Sequence, residues 1–133
     1  MTAQKFYSVV TRTSHDQDRA AVKRVSAVVL RALRDRLTMD EADQVFAQLP
    51  RELKAVWGEG EEAERAPEKM GCEAFLERVM RDAALPSKRQ ARWMTLAVFA
   101  ALKEQLSPGE ARDVMSQLPK SLKELWAEAQ SEA

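Results

Sequence analysis

The sequence predicts an all-α fold: two tandem four-helix repeats packed into one compact bundle with approximate two-fold internal symmetry. Three observations carry this expectation. The composition is rich in Ala, Leu, Glu, Lys, Arg and Gln, which lose least on entering a helix, and only 4 Gly and 5 Pro interrupt the chain. Apolar residues recur at helical spacing, and no segment makes a convincing strand. Finally, the chain repeats itself: a gapless shift of about 69 positions aligns Phe6 with Phe75, Val10 with Val79, Leu33 with Leu102, Leu37 with Leu106 and Trp57 with Trp126.

The first helix of each copy is short and amphipathic, with Phe6, Val9 and Val10 in one and Phe75, Leu76, Val79 and Met80 in the other. The second is the long packing element, about residues 17 to 37 and 86 to 106 by apolar periodicity. It carries Val22, Val25, Val29, Leu33 and Leu37, matched by Ala91, Met94, Val98, Leu102 and Leu106. Ser14 and Asp18 compete as its first N-cap, whereas Ser87 with Gln90 makes a capping box for the second. The third helix opens at Thr38 to Glu41 and at Ser107 to Glu110. Both read as capping boxes in which hydroxyl and carboxylate satisfy the unpaired first amides. Pro50 and Pro119 then force a break and begin a fourth helix, closed by Trp57 or Trp126, which we expect in the core.

These elements place repeat one at residues 3–57, an acidic linker at 58–71 and repeat two at 72–131, all within one domain, 1–133. A unit of roughly 55 residues is marginal alone, so shared burial is expected. The linker carboxylates Glu59, Glu61, Glu62 and Glu64 lack the ligand alternation of a calcium loop and read as a solvated, mutually repelling run.

The pattern Val-Leu-x-x-Leu-x-x-x-Leu, then Thr or Ser, Glu-Ala and Gln-Leu-Pro-x-x-Leu-Lys resembles a bacterial family of unknown function, number 2267. In this chain it runs through Leu30, Leu33, Leu37, Thr38, Glu41, Ala42, Gln48, Leu49, Pro50 and Leu53. It returns through Leu102, Leu106, Ser107, Glu110, Ala111, Gln117, Leu118, Pro119 and Leu122, with Phe99 standing where the first copy has Leu30. The resemblance implies an all-helical cytosolic bacterial protein and brings no catalytic residues.

Lys and Arg number 21 and Asp and Glu number 21, so no global field steers the chain toward nucleic acid. The amino terminus lacks a secretory pattern, and no apolar stretch is long enough to span a bilayer, so a cytoplasmic protein is expected. Chemistry has little to draw on, because His15 is the only histidine and Cys72 the only cysteine. His15 reads as a solvated loop or helix-end residue. Cys72, at a helix start where the dipole lowers a thiol pKa, has only a minor claim to redox chemistry. We expect no enzyme, no cofactor and no metal.

The most suggestive surface is basic. Arg19, Lys23, Arg24, Arg31 and Arg34 lie opposite the apolar side of the first long helix, and Lys88, Arg92 and Lys103 keep part of the stripe in the second. Trp93 takes the place of Arg24 there, where we favour burial over exposure. Arg19, Lys23, Arg24, Arg31, Arg34, Lys88, Arg92 and Trp93 are thus the candidate residues for a partner or a polyanion. The favoured function is a non-enzymatic interaction or scaffold module that binds a protein, itself or another. Nucleic-acid binding through the basic face is the less favoured alternative, and an unrecognised enzyme or small-ligand binder is a third.

Overall fold

A computed structural model describes residues 1–131. Among them are eight helices and no strand. They are α1 (Ala3–Ser14), α2 (Arg19–Arg36), α3 (Met39–Ala47), α4 (Arg51–Gly58), α5 (Cys72–Asp82), α6 (Lys88–Gln105), α7 (Pro108–Ser116) and α8 (Lys120–Glu128). The repeat is carried into lengths, since α2 and α6 each have 18 residues and α3 and α7 each have 9. Among the described residues no helix is long and apolar enough to cross a membrane.

Local chemistry sets the boundaries. Asp18, not Ser14, caps α2: its Oδ1 accepts from Ala21 N at 3.2 Å. Ser87 Oγ does the same for Gln90 N at 3.1 Å. His15, with φ of 64°, ends α1 in the left-handed region, and Ala84, with φ of 54°, holds the equivalent place after α5. Pro50 and Pro119 stand as extended N-cap residues before α4 and α8, where their missing amide costs nothing.

The two copies are interwoven. The apolar stripe of α1 is covered mainly by α6, and α5 packs on both its own α6 and on α2. The first helix of the first repeat therefore finds most of its cover in the second repeat, and α5 adds cover from α2 to that of its own α6, so that two marginal units share one core. Phe6, Val10, Val22, Leu33 and Leu53 meet Phe75, Val98, Phe99, Leu102 and Leu122 in that interior, all fully buried. Each large side chain contributes roughly 1.5–3 kcal/mol by leaving water. Trp57 and Trp126 are core residues, as expected, each 2% exposed. The Trp57 indole donates to Ala42 O at 3.1 Å, and Trp126 packs on Phe99 with centroids 5.1 Å apart.

Two expectations are corrected by long-range partners. Arg34 is not on a solvent face. It is buried, and its guanidinium donates to Trp57 O at 2.7 Å and Glu59 O at 2.6 Å, capping the carbonyl end of α4. Lys103, its repeat equivalent, donates to Trp126 O and Ala129 O, both at 2.9 Å, at the end of α8. Cations at helix C-termini meet the negative end of the dipole, so this pair of residues closes each repeat. The linker, in turn, is not a repelling run throughout. Arg65 pairs with Glu61 at 2.6 Å and donates to Arg34 O and Leu37 O, while Glu68 N reaches Asp35 O at 2.7 Å. Asp35 also receives Arg34 and Arg78, so the linker is tied to the end of α2 and to α5.

Candidate functional site

Two places draw chemistry together. The first is the start of α6, where Ser87 caps the helix and its second turn carries Trp93. Expected to be buried, Trp93 is instead 52% exposed. The correction has a local cause: α1 stops at Ser14, and its last carbonyls need donors. The Trp93 indole N–H supplies one to Ser14 O at 2.8 Å, which holds the half-exposed ring at the edge of the bundle. The ring lines two clefts, one with Ser87, Arg89, Gln90 and Arg92, and a second with His15, Leu96 and Glu128.

The predicted basic residues do not form one open stripe. Lys23 faces Glu52 at 3.6 Å, Arg31 binds Glu59 at 2.7 Å, Lys88 binds Glu73 at 2.7 Å and Arg92 binds Glu128 at 2.6 Å. Arg34 is interior. Arg19, Arg24 and Arg89 are exposed, and no carboxylate among the described residues pairs with them. The partners come from helices and linker distant in sequence, which a helical wheel cannot display. Cys72 is half-buried, and burial, then the neighbouring Glu73 carboxylate, pushes its thiol pKa up. The helix-start argument for a reactive thiol is outweighed.

The second place was missed. Thr38 and Ser107 cap α3 and α7 as expected, their hydroxyls accepting from Glu41 N and Glu110 N at 3.2 Å each. The carboxylate half of each box does not form. Thr38 N instead donates to Gln117 Oε1 at 3.0 Å and Ser107 N to Gln48 Oε1 at 2.8 Å, so each repeat caps the other. Released from that task, Glu41 and Glu110 turn to each other where α3 meets α7, both buried, with Asp113 exposed at the rim. One oxygen from each of the three lies within 4.8 Å of the others. Glu41 Oε2 and Glu110 Oε2 are buried without a hydrogen-bond partner. Burial, then the hydrogen bond and charge of Glu41 and the charge of Asp113, push Glu110 up to about 8. The one available sequence signal was the identity of glutamate and glutamine at matched positions in both copies; nothing in it said that the copies exchange caps.

A family model described as "Uncharacterized conserved protein (DUF2267)" matches residues 3–125, nearly the whole chain. No curated protein matches it.

Proposed function

Since the chain belongs to this conserved and uncharacterised family, we propose that it is a non-enzymatic interaction module of the bacterial cytoplasm that presents a fixed tryptophan to a partner protein. The observation that carries the reading is Trp93, half in water yet clamped through its indole nitrogen to Ser14 O at 2.8 Å. A ring already held in place loses little freedom when a partner covers it, and tryptophan and arginine dominate the energetics of interfaces. Arg89 stands beside the ring in one cleft and the apolar Leu96 in the other, so the fitting partner is a segment with an apolar residue flanked by a carboxylate. Burial and then the Glu73 carboxylate raise the Cys72 pKa, which counts against a thiol nucleophile.

The test is affinity capture from the native cytosol with wild type and Trp93→Ala side by side, their folds compared by circular dichroism. A partner, or a second copy, held by wild type and lost by the variant supports the reading. Equal capture by both, or a strictly monomeric mass with no wild-type-specific partner, ends it.

A second reading, polyanion binding, draws on the exposed Arg19, Arg24 and Arg89. Its affinity for heparin would fall steeply with added salt and vanish on charge reversal at Arg24 and Arg89. Salt-independent binding would remove it.

A further inference from the structure

We propose that Glu41, Glu110 and Asp113 form a binding site for a hard divalent cation of the size of Ca²⁺ at the α3–α7 seam. Two linked features of the seam point the same way. The amides that an N3 glutamate ordinarily reaches, Thr38 N and Ser107 N, are both occupied by glutamines of the opposite repeat. Two carboxylates are therefore buried, 7% and 6% exposed, and among the described residues the one side-chain N–H donor that reaches either is Gln117 Nε2, 3.5 Å from Glu41 Oε1. Each then leaves one interior oxygen, Glu41 Oε2 and Glu110 Oε2, that no donor of another residue reaches, so that Glu110 has only the Glu41 carboxylate itself to bond. Buried polar atoms are rarely orphaned, and an ion is one of the few groups that satisfies several acceptors at once.

The donor set names the class of ion. All three ligands are carboxylate oxygens, which suit hard cations and give nothing to softer metals that prefer nitrogen or sulfur. Their mutual spacing, within 4.8 Å, is what oxygens on a common Ca²⁺ require, since each would sit about 2.4 Å from the ion. Asp113 is exposed, so the ion has a way in and water can complete its shell. Gln117 contributes by position: its Nε2 reaches Glu41 Oε1 at 3.5 Å and Thr38 Oγ1 at 3.2 Å, orienting the carboxylate from the second repeat. An ion here would join α3 to α7, and so one copy to the other.

The experiment is calorimetric titration of the chelator-treated full chain with CaCl₂, and separately with MnCl₂, whose free-ion electron paramagnetic resonance signal is lost on binding. One ion per chain is expected, with affinity of about 10⁻⁴ M, as for weak sites with few protein ligands. Asp113→Asn, at the exposed rim, is expected to weaken it at least tenfold without disturbing the fold, and Glu110→Gln to abolish it. Glu62→Gln with Glu64→Gln, in the exposed part of the linker, is expected to bind as wild type. No binding of either ion up to about 10⁻² M, ten times the weakest such class, would mean that the pair holds a shared proton only. Unchanged binding in Asp113→Asn, or binding lost with the linker carboxylates, would place the ion elsewhere. Either result overturns the site.

Discussion

Replacing Arg34 by alanine and by lysine tests whether a buried cation closes each repeat. In wild type the guanidinium makes bonds of 2.7 Å to Trp57 O and 2.6 Å to Glu59 O and an ion pair of 2.9 Å with Asp35, all with a side chain only 5% exposed. Charge-assisted bonds of this kind contribute about 1.5–3 kcal/mol each where they are well formed. They are not additive, and truncating one partner of a buried pair costs roughly 3–5 kcal/mol in total. Arg34→Ala is therefore expected to lose about 3–5 kcal/mol, a large part of the roughly 5–15 kcal/mol that stabilises an ordinary domain. Lysine is the internal control, because Lys103 does the equivalent work at the end of α8 with an ammonium. Arg34→Lys keeps the cap but not the fork that also holds Asp35, and should lose only about 1–2 kcal/mol. Urea unfolding followed by circular dichroism reads both as a shift in midpoint at constant slope. An alanine variant within about 0.5 kcal/mol of wild type, or a lysine variant as unstable as alanine, would refute the capping account.

Asp35 gives the pH counterpart: burial raises its pKa, but the hydrogen bonds and charges of Arg34 and Arg78 outweigh this and hold it below 3.8. The unfolded chain binds the proton first, so the stabilisation is present above the ordinary carboxylate pKa and lost as pH falls through the lower folded one. The advantage of wild type over Asp35→Asn in urea midpoints should shrink only below about pH 4, and an advantage constant to about pH 2 would contradict it. Gln48→Ala and Gln117→Ala should each lose about 0.5–1.5 kcal/mol, because each leaves the first amide of the opposite repeat's helix without its acceptor; a loss at neither position in thermal melts would deny the exchange of caps. Phe99→Ala, which empties the space between Phe75 at 5.7 Å and Trp126 at 5.1 Å, should cost about 3–5 kcal/mol and shift Trp126 fluorescence to the red. An unshifted spectrum with a small stability change would mean that these rings do not form the core.

The helices, their hydroxyl caps at Thr38, Ser87 and Ser107, the breaks at Pro50 and Pro119 and the interior places of Trp57 and Trp126 were legible because each depends on neighbours within a few positions. Backbone hydrogen bonds in a helix close over four residues, and the apolar stripe that must be hidden recurs with the same short period. The duplication was legible for a simpler reason, that two copies keeping one fold keep its apolar and turn-forming positions.

Exposure and partnership were decided elsewhere. Trp93 begins the nearly apolar stretch of α6 that runs to Leu102, yet the end of α1 leaves it at the rim; Arg34 sits on the charged side of a helical wheel, yet the end of α4 draws it in. Glu41 and Glu110 read as caps until glutamines 79 and 59 positions from the amides they would have used take those amides. The sequence by itself determined the elements, their order and the two-copy plan. Only the tertiary structure determined which charges are buried, which ring is presented and which carboxylates meet, because Coulombic and hydrogen-bond partners are chosen by distance in space, and separation along the chain leaves no periodic trace of that choice.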